Sequence, residues 1–424
     1  MPLRRALGLA ALTFYGVGII LGAGIYSVIG VAAGLAGDSV WLSFAISSIV
    51  ALVTALSYAE LATTYPQTSA EFAYLRRALP RWPSVAVVTG LLVALSGAAT
   101  TSTVAIAFAA YLRSFVEIPS APVAYGLLGA ATAITLVGIK ESAWVNAVFT
   151  LIEAGGLLLF IGLGAGSDRF AAALSATPDL GVVSGAALVF FSFLGFENIA
   201  NLAEEAKKPK RDISRAIFLS LAIATTLYIL VALAAVALVP ATQLVETQAP
   251  LVHAARAKSA TVASGLGAIA LFATANTALV SLLVASRVVF GMARDGALPE
   301  GLASLFAQRK TPWAATVAVA ATAAALIPLG RVGIVASISS FASLLAFATV
   351  NVALILLRYR EPRAKRPFRV PGAIGRFPVL PAIGAVSTIG IATQLERTAL
   401  LGGTMAILVF AGYSIWKHRR KPAR

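Results

Sequence analysis

The chain has 424 residues, of which 59% are hydrophobic and 12% charged, with 33 Lys and Arg against 17 Asp and Glu. A soluble globular chain carries about twice that charged fraction, so a water-soluble domain is excluded; the formal charge of +16 does not point to nucleic acid, because the basic residues sit in short connections between apolar runs. Cysteine is absent and the two histidines, His253 and His418, fall in a loop and in the tail, which leaves no basis for thiol chemistry, a clustered metal site or a bound cofactor.

The apolar runs are roughly 18 to 26 residues long, enough to cross a bilayer as helices, and they lack the alternation of a membrane barrel. In chain order they predict spans at 10–35, 41–65, 84–112, 122–138, 143–165, 181–203, 214–239, 262–291, 312–329, 332–357, 378–395 and 399–416. The predicted fold class is therefore an all-α polytopic membrane protein of about 12 transmembrane helices. The even count puts both termini on one side. With the N-terminus inside, roughly 27 of the 33 Lys and Arg lie in cytoplasmic segments, the positive-inside bias. Both termini are thus predicted to be cytoplasmic, with the protein in the cell membrane. The first run begins almost at Met1 but is too long for a signal h-region and lacks a convincing cleavage site, so it is predicted to remain as a span. Connections 66–83, 240–261 and 358–377 are too short for a soluble domain.

Two spans carry mid-depth interruptions, which hydrocarbon tolerates only where protein or a water-filled cavity satisfies the backbone. The first span places Gly22 and Gly24 near its middle; the sixth reads Phe191-Ser192-Phe193-Leu194-Gly195-Phe196-Glu197-Asn198. These spans correspond if 1–165 and 181–357 are two inverted five-helix repeats, followed by 378–424, and matched breaks point to a substrate site. Close packing of neighbouring helices is the other use of such glycines. Unwinding at Gly22, Ala23, Gly24 and Ile25 would bare amides and a positive half-helix end suited to a carboxylate. Carbonyls near Ile20 and across Phe191, Phe193 and Leu194 would suit an ammonium group. Together they would hold the zwitterionic head of an α-amino acid.

Four stretches resemble the amino acid–polyamine–organocation superfamily. They are Gly22-Ala23-Gly24-Ile25-Tyr26; Ser57-Tyr58-Ala59-Glu60-Leu61 with Pro66; Gly195-Phe196-Glu197-Asn198 with Glu204-Glu205-Ala206-Lys207-Lys208-Pro209 and Asp212-Ile213; and Ser286-Arg287 with Met292-Ala293-Arg294-Asp295-Gly296 and Leu298-Pro299. The resemblance implies a five-plus-five inverted-repeat, LeuT-like core with broken helices 1 and 6 and two further helices, and a secondary transporter of amino acids working by alternating access. It assigns the amides of Ala23 and Gly24 to the substrate carboxylate, and the carbonyls of Ile20, Phe191 and Leu194 to its amine. Ala23 stands where serine is common, which removes one hydroxyl donor. Phe191 is either an aromatic lid or an ordinary core residue.

Two carboxylates fall inside predicted spans, where a charge is functional by default. Glu197 follows the break in the sixth span, in a coupling or gating role or as a structural hydrogen-bond acceptor. Glu153 lies near the centre of the fifth span, where some proton-coupled relatives carry a lysine. It could alternate between protonated and ionised and so couple protons to transport, help to hold a cation, or remain a neutral hydrogen-bond donor. Polar pocket candidates are Thr100, Thr101, Ser102, Thr103, Asn276, Ser281, Ser339 and Ser340. Glu60, Glu204, Glu205, Arg287, Arg294 and Asp295, near cytoplasmic helix ends, are either solvated or part of an inner gate, with Arg294 and Asp295 its first candidates. The basic run 358–369 is expected to face anionic lipid. No excess charge stands out among the pocket candidates, so small neutral or apolar amino acids are expected; cationic amino acids or polyamines, or exchange, are the alternatives. A membrane sensor or partner subunit is the alternative of another class, and an enzyme is not expected.

Overall fold

A computed structural model describes residues 7–66, 69–137, 143–202, 206–306 and 311–420. The described chain is almost wholly helical, because hydrocarbon offers no other partners to backbone N–H and C=O groups. Its first part comprises α1 (Leu9–Leu21), α2 (Gly24–Ala36), α3 (Val40–Thr64), α4 (Ala70–Ala78), α5 (Pro83–Leu112), α6 (Ser120–Val137) and α7 (Ala143–Ala165). The short α8 (Phe170–Leu174) leads to α9 (Gly181–Val189), α10 (Asn198–Asn201), α11 (Pro209–Leu238), α12 (Ala241–Val245), α13 (Pro250–Arg256) and α14 (Ala260–Arg294). Then follow α15 (Trp313–Leu326), α16 (Val332–Arg360), α17 (Val379–Ala392) and α18 (Arg397–Arg420), with an antiparallel hairpin pairing Ala373–Ile374 with Phe377–Pro378.

Among the described residues, nine helical stretches are long and apolar enough to cross a membrane, and three shorter apolar helices, Leu9–Leu21, Trp313–Leu329 and Val379–Ala392, accompany them. The chain is an integral membrane protein. Proline opens α5, α11 and α13, a position where the missing N–H has no intrahelical acceptor to lose.

Lipid gives helices no hydrophobic reason to associate, so close approach and interhelical hydrogen bonds must do so. Small buried residues such as Ala98, Ala99, Ala105 and Ala109 let α5 lie close along α14 and α16. Serines and threonines stitch the seam: Ser96 Oγ lies 3.0 Å from Ser339 Oγ and 2.6 Å from Ser343 Oγ, and Thr100 Oγ1 lies 2.8 Å from Ser339 Oγ. Ser340 donates to Leu188 O at 3.4 Å, and Thr101 and Thr103 donate to the preceding turn of α5. Thr101, Thr103, Ser339 and Ser340, candidates from sequence for a pocket, therefore serve helix packing.

At the end of the bundle bearing α4, Glu60 is fully buried, and the expectation that it is solvated does not hold. Arg358 Nε donates to its Oε1 at 2.9 Å and Arg358 Nη2 to its Oε2; Arg366 Nε stands 3.0 Å from Oε1, and the Val370 N–H donates to Oε2 at 2.7 Å. One carboxylate on α3 thus fastens α16 and the connection that follows it. Glu60→Gln leaves two arginines without their counter-charge, and removing one partner of a buried ion pair costs about 3–5 kcal/mol. Thermal unfolding in detergent should show that loss, and a variant as stable as the parent would refute it.

Candidate functional site

The first and sixth predicted spans are each divided, and the two divisions meet. α1 ends at Leu21 and α2 begins at Gly24. α9 passes at Val189 into a tight 3-10 turn over Phe190–Phe193, Leu194 is extended, and α10 starts only at Asn198. Gly195 has φ +123°, a conformation that L side chains rarely adopt, and a Cβ there would collide with Ile19. A Cβ on Gly24 would lie 2.6 Å from Ser192 Cα. Glycine at these two positions brings one break against the other.

The Gly22 N–H still reaches Gly18 O at 3.2 Å, and the first N–H of α2 to find its own helix is Ser27, donating to Ala23 O at 2.9 Å. The amides between them lie at the positive end of a half-helix. Ala23 N–H donates to Thr277 Oγ1 of α14 at 3.0 Å, so one of the amides expected to receive a carboxylate is occupied in this conformation. Gly24 and Ile25 precede the first intrahelical bond. On the carbonyl side, the Tyr228 hydroxyl of α11 donates to Ile20 O and lies 3.0 Å from Ser192 O and 3.3 Å from Leu21 O. A hydroxyl has one proton, so it serves these acceptors in competition. Leu194 N–H donates to Phe191 O at 3.3 Å.

Beside the breaks lies a cavity of about 80 Å³. Ile20, Ala23, Gly24, Thr100, Phe191, Leu194, Gly195, Ser281 and Glu197 line it, as does Asn276. Gly22, Ile25, Phe193 and Glu153 do not. Gly22 faces Thr277, Ile25 is fully buried on α2, and Phe193 packs against Phe44 and Tyr228 with ring centroids 6.5 and 5.4 Å away. Phe193 is two residues from Phe191, and residues two apart on a helical turn point to nearly opposite sides.

Glu71 on α4 also lines the cavity and accepts from the Tyr58 hydroxyl at 3.0 Å, while the Tyr58 ring stands edge-on to Phe196 at 5.7 Å. Glu197 braces its own break by accepting from Gly195 N–H at 2.8 Å, yet remains on the cavity wall. The wall thus holds two carboxylates and no Lys or Arg. Glu153 is 1% exposed on α7, neither carboxyl oxygen has a hydrogen-bond partner among the described residues, and Tyr26 and Tyr228 lie within electrostatic reach. The Tyr26 hydroxyl is likewise buried without a partner.

Outside the cavity lining, the Tyr111 hydroxyl donates to Tyr26 O at 2.9 Å and α12 packs on α2. At the α4 end Arg77 grips both oxygens of Glu361 at 2.6 and 2.9 Å, the Tyr65 hydroxyl donates to Glu361 at 2.9 Å, and Arg76 pairs with Asp295 at 3.1 Å. Arg294 stands over the Phe290 ring at 5.9 Å, so Asp295 has its partner on α4 and not in its chain neighbour. Glu204 and Glu205 lie outside the described residues. Sequence reasoning did not find Tyr228, Thr277 or Glu71. A tyrosine within an apolar span was the available signal for Tyr228; nothing distinguished Glu71 within a polar connection.

Residues 7–411 match the Amino acid permease family. The chain belongs to that family. It is 30% identical to the Branched-chain amino acid permease BcaP of Bacillus subtilis, across 96% of this chain and 91% of that one. It is also 30% identical to the Methylthioribose transporter of the same organism, across 90% and 87%, and to a vacuolar Cationic amino acid transporter 8 of Arabidopsis thaliana, across 84% and 64%. The family transports and does not catalyse.

Tyr228→Phe leaves carbonyls of both breaks without their hydroxyl donor, and Gly24→Ala drives them apart; both should abolish uptake by the permease with folding retained, checked by transport in vesicles beside size-exclusion profiles. The Arg77 guanidinium holds the Glu361 carboxyl below its ordinary 4.5, against the opposing effect of burial and with help from the Tyr65 hydroxyl. Because the folded value is the lower one, this pair's stabilisation is complete above the ordinary value and is lost as acid titrates the folded carboxyl. Melting temperatures of the parent should therefore fall below about pH 4.5 more steeply than those of Glu361→Gln, and parallel curves would refute the pairing.

Proposed function

We propose that this permease is a secondary active transporter of small neutral amino acids in the cell membrane, working by alternating access and coupled to protons through Glu153. The proposed architecture is twelve spans in an inverted-repeat arrangement, with 1–165 and 181–357 as the repeats, 378–424 as the added part, and both termini at the basic, cytoplasmic end. The observation that carries the reading is the cavity at the junction of the two breaks. Amides at the start of α2 would receive the substrate carboxylate, and carbonyls of the 191–194 turn its ammonium group. Admitting an amino acid requires Thr277 and Tyr228 to yield the groups they hold, so binding and rearrangement of α1 and α2 are linked. The small cavity favours a small side chain.

Glu153 supports proton coupling because it is a buried carboxyl with no hydrogen-bond partner among the described residues. Ionising it in a dry site has a high cost, so its proton would leave only when rearrangement of α1 admits water. Closure of the cavity would then require reprotonation, which ties each cycle to one proton.

A second reading is favoured by Glu71 and Glu197, two carboxylates without a basic neighbour on the cavity wall. They suit a side chain ending in an ammonium or guanidinium group, in a more open conformation than this one.

Purified protein in liposomes should accumulate labelled alanine under an inward proton gradient, and Glu153→Gln should lower that accumulation at least about tenfold while sparing exchange in preloaded vesicles. Arginine preferred over alanine would select the second reading. Full gradient-driven uptake by Glu153→Gln would remove Glu153 from coupling, and no uptake of alanine, leucine, glutamate or arginine would remove the amino-acid assignment.

A further inference from the structure

The residues that line the central cavity include six with a side-chain hydroxyl, Ser96, Thr100, Ser192, Thr277, Ser281 and Ser343. Ser96, Thr100 and Ser343 are engaged in the seam between α5 and α16, Thr277 accepts from Ala23 N–H, and Ser281 is half-buried. Ser192 differs from them: it is 1% exposed, and its Oγ has no hydrogen-bond partner among the described residues. A hydroxyl sealed from water with nothing to bond is costly, and such a group in a folded chain calls for a role that supplies its partner.

The place of this hydroxyl is set by both breaks. Ser192 belongs to the tight turn of the second, where its carbonyl oxygen lies 3.0 Å from the Tyr228 hydroxyl. Its side chain is turned to the first: a Cβ on Gly24 would meet Ser192 Cβ at 2.9 Å and Ser192 Oγ at 3.1 Å. The hydroxyl therefore stands beside the opening residue of α2, next to the amides of Gly24 and Ile25, which precede the first bond internal to that helix. This is the positive end of a half-helix.

We propose that the Ser192 side chain is a substrate contact, its hydroxyl donating to the carboxylate that the amides at the start of α2 also receive; this rests on the amino-acid reading of the site given above. An ammonium group in the same place would face the positive end of α2, so the hydroxyl serves there as a donor to an anion. Gly24 covers it in this conformation, and the movement of α2 that frees Ala23 N–H from Thr277 uncovers it. A hydroxyl bond to a carboxylate is charge-assisted and stronger than a neutral one. A ligand that keeps the ammonium group but lacks the carboxylate leaves Ser192 again without a partner, and a site built to hydrogen-bond a group rejects the analogue that lacks it. Ser192 thus selects amino acids over the corresponding amines, whichever side chain the cavity prefers.

The test is calorimetric binding of alanine, and of alaninamide, in which a neutral carboxamide replaces the carboxylate, to the full-length protein in detergent, beside its ligand-free Tm. Ser192→Ala should weaken alanine binding about tenfold or more and alaninamide binding distinctly less. Its ligand-free Tm should equal or exceed that of the parent, because the substitution removes a hydroxyl that has no bond to lose. An unchanged Kd for alanine would overturn the proposal. So would equal weakening for both ligands, which would take the hydroxyl off the carboxylate, or a lowered ligand-free Tm, which would make it a structural donor. Where Ser192→Ala fails to fold, Ser192→Cys decides, since a thiol is a weak donor: weaker alanine binding supports the contact and a parental Kd refutes it. If uptake selects leucine, glutamate or arginine in place of alanine, that amino acid and its amide become the probes, so the choice of side chain and the Ser192 contact fail separately; a parent that binds none of the four overturns both the amino-acid reading and this contact.

Discussion

A backbone amide or carbonyl cannot be left bare in hydrocarbon, and this structure is organised around the two places where the chain interrupts its helices in spite of that constraint. The interruption between Leu21 and Gly24 and the one after Val189 lie against each other, and side chains from other helices and from the second break itself attend to the groups set free. Tyr228 reaches across from α11 to Ile20 O and Ser192 O, Thr277 accepts from Ala23 N–H, and Glu197 accepts from Gly195 N–H. Each of these bonds satisfies a backbone group that a break sets free, and under the proposed function it is the group that a zwitterionic ligand would take over.

The rest of the bundle holds this junction by two different means. Along the lipid-facing depth, small residues and hydroxyls do the work, with Ser96, Thr100, Ser339 and Ser343 forming a continuous polar seam between α5 and α16. At the basic end, charge takes over: Glu60 draws in Arg358 and Arg366, and Glu361 draws in Arg77. The two clusters differ in kind. Glu60 is sealed from water, where loss of a partner is severe, whereas the Arg77 and Glu361 side chains are 48% and 29% exposed and their pair is correspondingly adaptable. The first is suited to permanent attachment of the connection after α16, the second to a contact that opens and closes.

Much of the element order was legible in the sequence because apolar run length is a strong signal in a membrane chain, and the helix ends fall within a few residues of the runs. The two breaks were legible for a local reason: glycine in pairs, and a carboxylate two residues from a glycine, are conspicuous amid apolar residues. Side-chain direction was less legible. Phe191 faces the cavity and Phe193 faces Phe44; residues two apart on a helical turn point to nearly opposite sides, and only the packing of the turn says which of the two meets the cavity. Ser339 and Ser340 were equally plausible as ligands and as packing groups, and only the groups they meet, Ser96 on α5 and Leu188 O on α9, decide between those roles.

The sequence by itself determined that the chain lives in a bilayer, which of its spans are divided, and which family it belongs to, since composition, run length and short motifs are properties of neighbouring residues. Tertiary structure alone decided that Tyr228, Thr277 and Glu71 belong to the site, that Asp295 pairs with Arg76, and that Glu60 is buried. Each of those facts rests on contacts between segments far apart in the chain, Ala23 with Thr277 or Glu60 with Arg358, and no local pattern encodes which of several polar residues will meet. Folding converts a list of candidate groups into a few whose distances permit chemistry, and that selection is made by packing between helices.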